Sequence, residues 1–208
     1  MSFRKRSPAL IEMRPMLREI FSSAEFYSER VMGSQIKSPV QFIVQTSKLL
    51  DAAPPTPIAA QIAMHQMGQI LFAPPNVKGW DGGKEWISTS TLLFRYNFAN
   101  YLINGDPILP QIPPQRRQGA DVGFGRAAQI AQQIRRSPID VSNLVPADLH
   151  NKPREVVDLL AKRFFQTPLA DKELDAFVKF LETCNDIGDA TLRELVHLMM
   201  STPQFQLA

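Results

Sequence analysis

The chain has 208 residues, and 44% of them are apolar, which is enough to build a buried core in one large or two small domains. Its net charge is +3, from 23 Lys and Arg against 20 Asp and Glu, and so small an excess gives little reason to expect nucleic-acid binding. Cys184 is the single cysteine, and no apolar run approaches the roughly 18 residues needed to span a membrane. Composition therefore excludes a disulfide scaffold, a disordered chain and a membrane-spanning protein.

The amino-terminal segment is basic but lacks the pattern of a signal peptide. A basic run at residues 4–6 is followed by Glu12, Arg14 and Pro15, where a signal peptide would carry its apolar region. We therefore expect no export signal in the chain as written.

Apolar residues recur at spacings of three and four, and alternating β-branched segments are scarce, so the sequence predicts an all-α protein, an irregular helical bundle. A first helix is predicted to begin near Pro15. A second and a third helix are predicted to begin at Ser38–Pro39 and Thr56–Pro57, because each pair places a hydroxyl N-cap before a proline. A fourth helix is predicted to open at residues 88–91 and to end at Gly105. The first helix should carry one apolar face formed by Leu17, Ile20, Phe21 and Ala24.

Residues 106–125 contain four prolines and three glycines without apolar periodicity, which is typical of a semi-rigid connector. This segment divides the chain into an N-terminal helical subdomain, residues 1–105, and a C-terminal helical cluster, residues 126–208. The N-terminal part contains a long loop at residues 72–88.

The C-terminal cluster is predicted to begin with a short helix over residues 126–136. Three amphipathic helices follow, beginning at about Pro153, Asp171 and Asp189. The two aspartates are predicted as N-caps, because a side-chain carboxylate can accept a hydrogen bond from a free amide of the first turn.

A short sequence echo links the two ends of the chain. Residues 22–26 (Ser-Ser-Ala-Glu-Phe) and residues 201–205 (Ser-Thr-Pro-Gln-Phe) both follow the apolar end of a helix. We interpret the echo as a recurrent capping solution, because two copies are too few for a solenoid array.

The long loop holds both tryptophans and three of the ten glycines, and Pro74 and Pro75 stiffen its entry. The glycines permit positive φ, and the two indoles supply apolar area for packing, so we expect the loop to be ordered. A helix N-terminus and two lysines beside it favour an anion, whereas an exposed indole beside polar groups would suit a sugar ring. The candidate ligand-binding residues are Asn76, Lys78, Trp80, Asp81, Lys84, Trp86, Ser88 and Thr89.

The alternative interpretation gives the same loop a purely structural role. In that case both indoles are buried pegs, Asn76 satisfies loop backbone, and Ser88 or Thr89 only caps the following helix. Asp81 and Glu85, with His65 nearby in sequence, are the acid/base candidates if the loop lines a cleft, although no spacing fixes their geometry.

No cofactor or metal is expected. His65, His150 and His197 occur singly, without the spacing of a zinc site. Residues 123–128 match the Gly-x-Gly-x-x-Ala form of a dinucleotide fingerprint, but no strand is predicted to precede them. Two arginine pairs near the connector lack interleaved aromatic residues, and we expect no nucleic-acid binding there.

Several motifs together resemble a known family. They are Lys37-Ser38-Pro39, Met67-Gly68-Gln69 with Leu71-Phe72, the run Pro-Pro-Asn-Val-Lys-Gly-Trp at residues 74–80, Gly83 and Trp86, Thr91-Leu92-Leu93 with Arg95, Asn97 and Phe98, and the terminal residues 197–207. In these segments the chain resembles the bacterial domain-of-unknown-function family 1800. The resemblance covers nearly all of the chain but only the C-terminal half of longer family members, which implies a fragment. It also implies a bacterial envelope or secreted setting, and it brings no catalytic residues.

Three hypotheses of function follow. The first is a non-catalytic binding or interaction module that uses the Asn76–Trp86 loop to contact carbohydrate or a protein partner. The second is a fragment of an envelope hydrolase that acts on polysaccharide, with Asp81 or Glu85 in its site. The third is a structural docking half of a larger protein, whose uncovered apolar face would cause self-association.

Overall fold

The computed structural model describes residues 13–108, 134, 136–184 and 186–208. In these ranges the chain forms seven α-helices and no β-sheet, and one isolated antiparallel bridge joins Ile36 to Leu207. The predicted all-α class is confirmed. The helices are α1 (Met13–Ser22), α2 (Pro39–Leu49), α3 (Pro57–Gln66), α4 (Thr89–Asn104), α5 (Pro153–Phe164), α6 (Asp171–Thr183) and α7 (Asp189–Met200).

Helices α2 and α3 begin where their hydroxyl N-caps were predicted. Ser38 Oγ accepts a hydrogen bond from the Gln41 amide at 3.4 Å, and Gln41 Oε1 accepts one from the Ser38 amide at 2.9 Å. Thr56 Oγ1 likewise accepts from the Ala59 amide at 3.3 Å. Each proline that follows occupies a first-turn position, where its missing N–H leaves no intrahelical bond unmade. Both predicted starts are confirmed.

The predicted N-caps of α6 and α7 are wrong by one residue. Asp171 and Asp189 are the first helical residues, and the caps are Ala170 and Gly188, whose backbones are extended. In α6 the Glu173 carboxylate accepts a hydrogen bond from the Ala170 amide at 3.1 Å. A carboxylate is favourable at either position because the helix dipole places positive charge over the whole first turn.

Two other predicted helix boundaries lie at or outside the edges of the described residues. Helix α1 is described from Met13, which is the first described residue, so its start does not test the predicted start near Pro15. Pro15 within the helix is tolerated because a proline in the first turn costs no hydrogen bond. The helix predicted over residues 126–136 falls almost wholly outside the described residues, and the described residues 134 and 136 are not helical. The predicted connector lies outside them beyond residue 108.

The apolar core is continuous from the first half of the chain to the second. Phe42 of α2, Phe98 of α4 and Phe205 after α7 meet at its centre, with ring centroids 6.1 Å (Phe42 to Phe98) and 6.0 Å (Phe42 to Phe205) apart. Helix α7 packs against α4, α5 and α6, while α3 packs between α2 and α4. Side chains from both sides of the predicted connector therefore share one core.

The last four residues pair with the segment before α2. Lys37 Nζ donates a hydrogen bond to the Phe205 carbonyl at 2.5 Å, and the Lys37 amide donates to the Gln206 carbonyl at 2.9 Å. Gln35 and Ala208 exchange two backbone hydrogen bonds, of 2.7 and 3.3 Å. We call this pairing of residues 35–37 with residues 205–208 the C-terminal latch.

A second buried cation supports the latch. The Arg95 side chain is fully buried; its Nη2 donates to the Lys37 carbonyl at 2.8 Å and its Nη1 lies 3.4 Å from Gln206 Oε1. The cations also face aromatic rings, with Lys37 Nζ 4.1 Å from the Phe205 centroid and Arg95 Cζ 5.0 Å from that of Phe42. Within the described ranges neither cation pairs with a carboxylate. Burial, and then Arg95, lowers the pKa of Lys37 to about 8, and burial lowers the pKa of Arg95 to about 10.

We expect the free energy of unfolding to rise with pH between about 8 and 10.5 because of Lys37. Below pH 8 both folded and unfolded chains carry the Lys37 proton, and the folded state bears the cost of burying the charge. Between the folded pKa of about 8 and the ordinary value of 10.5, only the unfolded chain keeps the proton, so deprotonation favours folding. The full difference corresponds to at most about 3 kcal/mol.

Urea denaturation at pH 7.5, 8.5, 9.5 and 10.5 measures this rise. The Lys37→Met variant should lack the Lys37 contribution, whereas Lys48→Met, which changes an exposed lysine of α2, should keep it. An unchanged pH dependence in Lys37→Met would contradict the assignment.

Gly105 ends α4 as predicted, and we expect its replacement by alanine to be costly. Its φ is +74°, and an added Cβ would lie 2.0 Å from the Arg136 carbonyl oxygen. Gly68 has a similar φ of +87° with no atom within 4 Å of an added Cβ, so Gly68→Ala reports the conformational cost alone. Chemical denaturation should show Gly105→Ala to be less stable than Gly68→Ala by at least about 2 kcal/mol. Equal losses would contradict the close approach of Arg136.

Candidate functional site

The loop between α3 and α4 is shaped by local hydrogen bonds. Asn76 Oδ1 accepts from the Lys78 amide at 2.9 Å, and the Asn76 carbonyl accepts from the Gly79 amide at 3.1 Å. Gly79 has a φ of +92°, a left-handed conformation that glycine adopts without a Cβ clash. The Asn76 side chain therefore satisfies loop backbone, and it remains exposed to solvent.

The two tryptophans differ in exposure. Trp86 ends a 3₁₀ turn, Gly83–Trp86, and is 7% exposed, whereas Trp80 is half-buried. The Trp86 carbonyl accepts a hydrogen bond from Thr91 Oγ1 at 3.0 Å, which ties the end of the loop to the first turn of α4. Trp86 thus anchors the loop and offers little ring surface to a ligand.

Ser88 is the N-cap of α4. Ser88 Oγ accepts from the Thr91 amide at 3.2 Å, and Thr91 Oγ1 accepts from the Ser88 amide at 2.8 Å. The Ser88 hydroxyl is therefore engaged in a capping box. Thr89, the first helical residue, and Lys84, in the 3₁₀ turn, are exposed.

The charged candidates lie on an open surface. Lys78 Nζ donates to Asp81 Oδ1 at 2.7 Å, and this hydrogen bond together with the Asp81 charge raises the pKa of Lys78. Glu85 and His65 are exposed, and no hydrogen bond in the described part of the chain joins either of them to Asp81. The structure therefore pairs Lys78 with Asp81 but does not gather an acid/base set.

Exposed apolar residues in this loop were missed by the sequence analysis. Phe72 is 98% exposed and Val77 is fully exposed, and Ile70 and Leu71 are partly exposed beside them. Phe72 also has a φ of +64°, a conformation that is uncommon outside glycine and costs of order 1 kcal/mol. An aromatic residue two positions before a pair of prolines, where the helical periodicity has stopped, is the signal that could have indicated Phe72.

Three surface cavities lie elsewhere on the molecule. One of about 360 Å³ is formed by α5 and the segment after it, and one of about 450 Å³ lies between residues 51–56 and 136–143. A groove of about 520 Å³ runs along the outer face of α2, beside Val40 and Val44. None of these three includes a residue of the loop at residues 72–88, which we call the tryptophan loop.

Two further properties concern ions and membranes. Searching the residues with described positions finds no cluster of three or more His, Cys, Asp or Glu side chains able to bind a metal ion. No helix in those same ranges combines the length and the apolar character that crossing a bilayer requires.

The fold and loop define an all-α protein with an ion-paired, partly apolar loop before its fourth helix. The family model described as "protein of unknown function (DUF1800)" matches residues 2–207, nearly the whole chain. The chain therefore belongs to the DUF1800 family, and the resemblance noted in the sequence is confirmed. Comparison with curated proteins and with solved structures found no match.

The difference in exposure between the two indoles is measurable by acrylamide quenching. We expect the Trp80→Phe variant, whose fluorescence comes from Trp86, to be quenched several times less than the Trp86→Phe variant. In concentrated urea the two variants should quench alike, and circular dichroism should verify that both are folded without it. Equal quenching of the two folded variants would contradict the burial of Trp86.

Proposed function

We propose that the chain is a non-catalytic interaction module and that the loop from Phe72 to Asp81 contacts a protein partner. The observation that carries the proposal is Phe72, which is almost fully exposed in a strained backbone conformation. Solvent exposure of a large aromatic ring forgoes about 2–3 kcal/mol of burial free energy, which a partner surface can recover. Aromatic residues that enter a partner's pocket are frequent hot spots of binding.

The composition of the loop supports a protein interface. The loop exposes two large apolar side chains, Phe72 and Val77, and the same segment carries polar groups in the Lys78–Asp81 ion pair and Asn76. An apolar centre with a polar rim is the usual anatomy of such interfaces.

The loop is also held in shape before any partner binds. Two prolines and the Asn76 turn restrict its backbone, and the buried Trp86 ties its end to α4. Because binding then orders few new torsions, the entropy cost of association is reduced. In this proposal Trp86, Ser88 and Thr89 support the loop from behind, while Trp80 and Lys84 border the contact surface.

A protein partner is better supported than a carbohydrate or a hydrolytic site. Sugar stacking requires an open indole face, but Trp86 is buried and Trp80 is half-buried. A hydrolase would use Asp81 or Glu85 inside a cleft, whereas both are exposed and Asp81 is bound to Lys78. We therefore place Asp81 at the rim of a binding surface.

The Phe72→Asn variant tests the proposal, because asparagine tolerates the left-handed backbone but removes the ring. We expect Phe72→Asn to be as stable as the wild type or up to about 1 kcal/mol more stable. From an extract of the cells that naturally make the protein, the immobilised variant should retain at least about tenfold less of each partner protein than the immobilised wild-type chain. A tenfold weaker affinity corresponds to a loss of about 1.4 kcal/mol of binding free energy.

Ile58→Gln is the matched control, since Ile58 is an exposed apolar residue on α3 outside the loop. This control should retain the same proteins as the wild type. Undiminished retention by Phe72→Asn, or a large loss of its stability, would refute the proposed role of Phe72.

A further inference from the structure

Residues 13–28 and residues 192–207 form the same structure twice. They align without a gap, and we call them the α1 unit and the α7 unit. At the end of α1 the Ser23 hydroxyl donates to the Ile20 carbonyl at 2.8 Å, and at the end of α7 the Thr202 hydroxyl donates to the Met199 carbonyl at 2.8 Å. Corresponding residues thus make corresponding hydrogen bonds.

The match continues through the following turn. The Phe26 amide donates to Ser23 Oγ at 3.3 Å, and the Phe205 amide donates to Thr202 Oγ1 at 3.4 Å. Each phenylalanine is the middle residue of a 3₁₀ turn, Glu25–Tyr27 in the first unit and Gln204–Gln206 in the second. The sequence echo is therefore a repeated helix-and-turn unit that presents one aromatic ring.

The two units differ in burial. The apolar side chains of α7 at the aligned positions are all 0% exposed, whereas those of α1 are 40–51% exposed. Phe205 is likewise fully buried, and its counterpart Phe26 is 40% exposed, touching only neighbouring rings of its own unit among the aromatic contacts described. The aligned pairs are Met13 with Leu192, Met16 with Leu195, Leu17 with Val196, Ile20 with Met199, and Phe21 with Met200.

The groove that holds the α7 unit shows what such a unit binds. Helices α4, α5 and α6 cover its apolar face. The Phe205 ring meets Phe42 and Phe164 edge-on, with centroids 6.0 and 6.4 Å away. Lys37 donates a hydrogen bond to the carbonyl of Phe205. The groove thus combines an apolar helical surface, an aromatic pocket and a buried cation that binds main-chain oxygen.

We propose that the α1 unit is a second docking element, and that its partner is a helical protein surface built like the groove that holds the α7 unit. The partner offers an apolar groove between helices for the Leu17 and Phe21 side of α1, a ring-lined pocket for Phe26, and a Lys or Arg that donates to the Phe26 carbonyl. Arg14, Arg18 and Glu19, on the opposite side of α1, remain in solvent. The α1 unit is a different segment of the chain from the tryptophan loop, and this proposal does not depend on the function proposed for that loop.

The occupant is a different helical surface and not a second copy of this chain. A second copy carries the required groove, but its own α7 unit already fills it. Opening that groove would expose to water five apolar side chains of α7 that are fully buried.

A graft within the full chain tests whether the α1 unit fits this kind of groove. Residues 195–205 are replaced by the sequence of residues 16–26, which omits Pro15 and keeps Gln206 and Leu207 in the latch. We expect the grafted chain to unfold cooperatively, with a midpoint less than about 10 °C below that of the wild type.

The control graft places residues 177–187 at the same position. That segment is also amphipathic but has no hydroxyl-to-phenylalanine turn, and it puts glutamate at the buried position 200. It should abolish cooperative unfolding. If the graft from the α1 unit unfolds as the control does, the proposal is overturned.

Sedimentation of the wild-type chain over a hundredfold range of concentration tests the choice of occupant. We expect a monomer throughout, and the Leu17→Asp variant should melt with the wild type because Leu17 is not part of the core. A dimer that Leu17→Asp dissociates would identify a second copy as the occupant and overturn the proposal.

Discussion

Two buried cations that pair with no carboxylate in the described part of the chain constrain how the fold closes. Lys37 Nζ and the two terminal nitrogens of Arg95 donate to oxygens of residues 37, 205 and 206, and both cations face aromatic rings. In a medium of low polarity a cation without such partners is strongly unfavourable, so these oxygens must be in place for the core to close. The arrangement therefore requires the start of α2, the middle of α4 and the last residues of the chain to meet at one point.

Helix α4 connects the buried cations to the candidate site. Arg95 lies one turn after Thr91, whose hydroxyl binds the Trp86 carbonyl and whose amide binds the N-cap Ser88. The end of the tryptophan loop is therefore attached to the same helix that the C-terminal latch immobilises. This attachment fixes the end of the loop at α4, while the two prolines and the Asn76 turn restrict the part that carries Phe72. Phe72 itself adds nothing to the core.

Features set by neighbouring residues were predictable, and features set by distant ones were not. The starts at Ser38 and Thr56 and the end at Gly105 follow from hydrogen bonds or backbone angles within four residues. The burial of Lys37 and Arg95 could not be predicted, because their partners lie 168 and 111 residues away (Phe205 and Gln206) and charged residues usually remain in solvent. In the loop, the sequence left both tryptophans open as ligand groups or as buried pegs, and it could not tell that Trp86 is buried while Trp80 is only half-buried. It also gave Phe72 no role, because periodicity does not report exposure.

The α1 and α7 units separate local structure from burial within one chain. The same hydroxyl-capped end and the same 3₁₀ turn form whether the phenylalanine is buried, as at residue 205, or exposed, as at residue 26. The turn therefore owes its shape to bonds within the unit and not to packing. Packing determines whether the unit is buried, because burial requires a groove whose aromatic rings and cation match the unit. Among the described residues α7 lies in such a groove and α1 does not, so the apolar pattern of α1 is complete as a binding element and incomplete as a part of the core that those residues form.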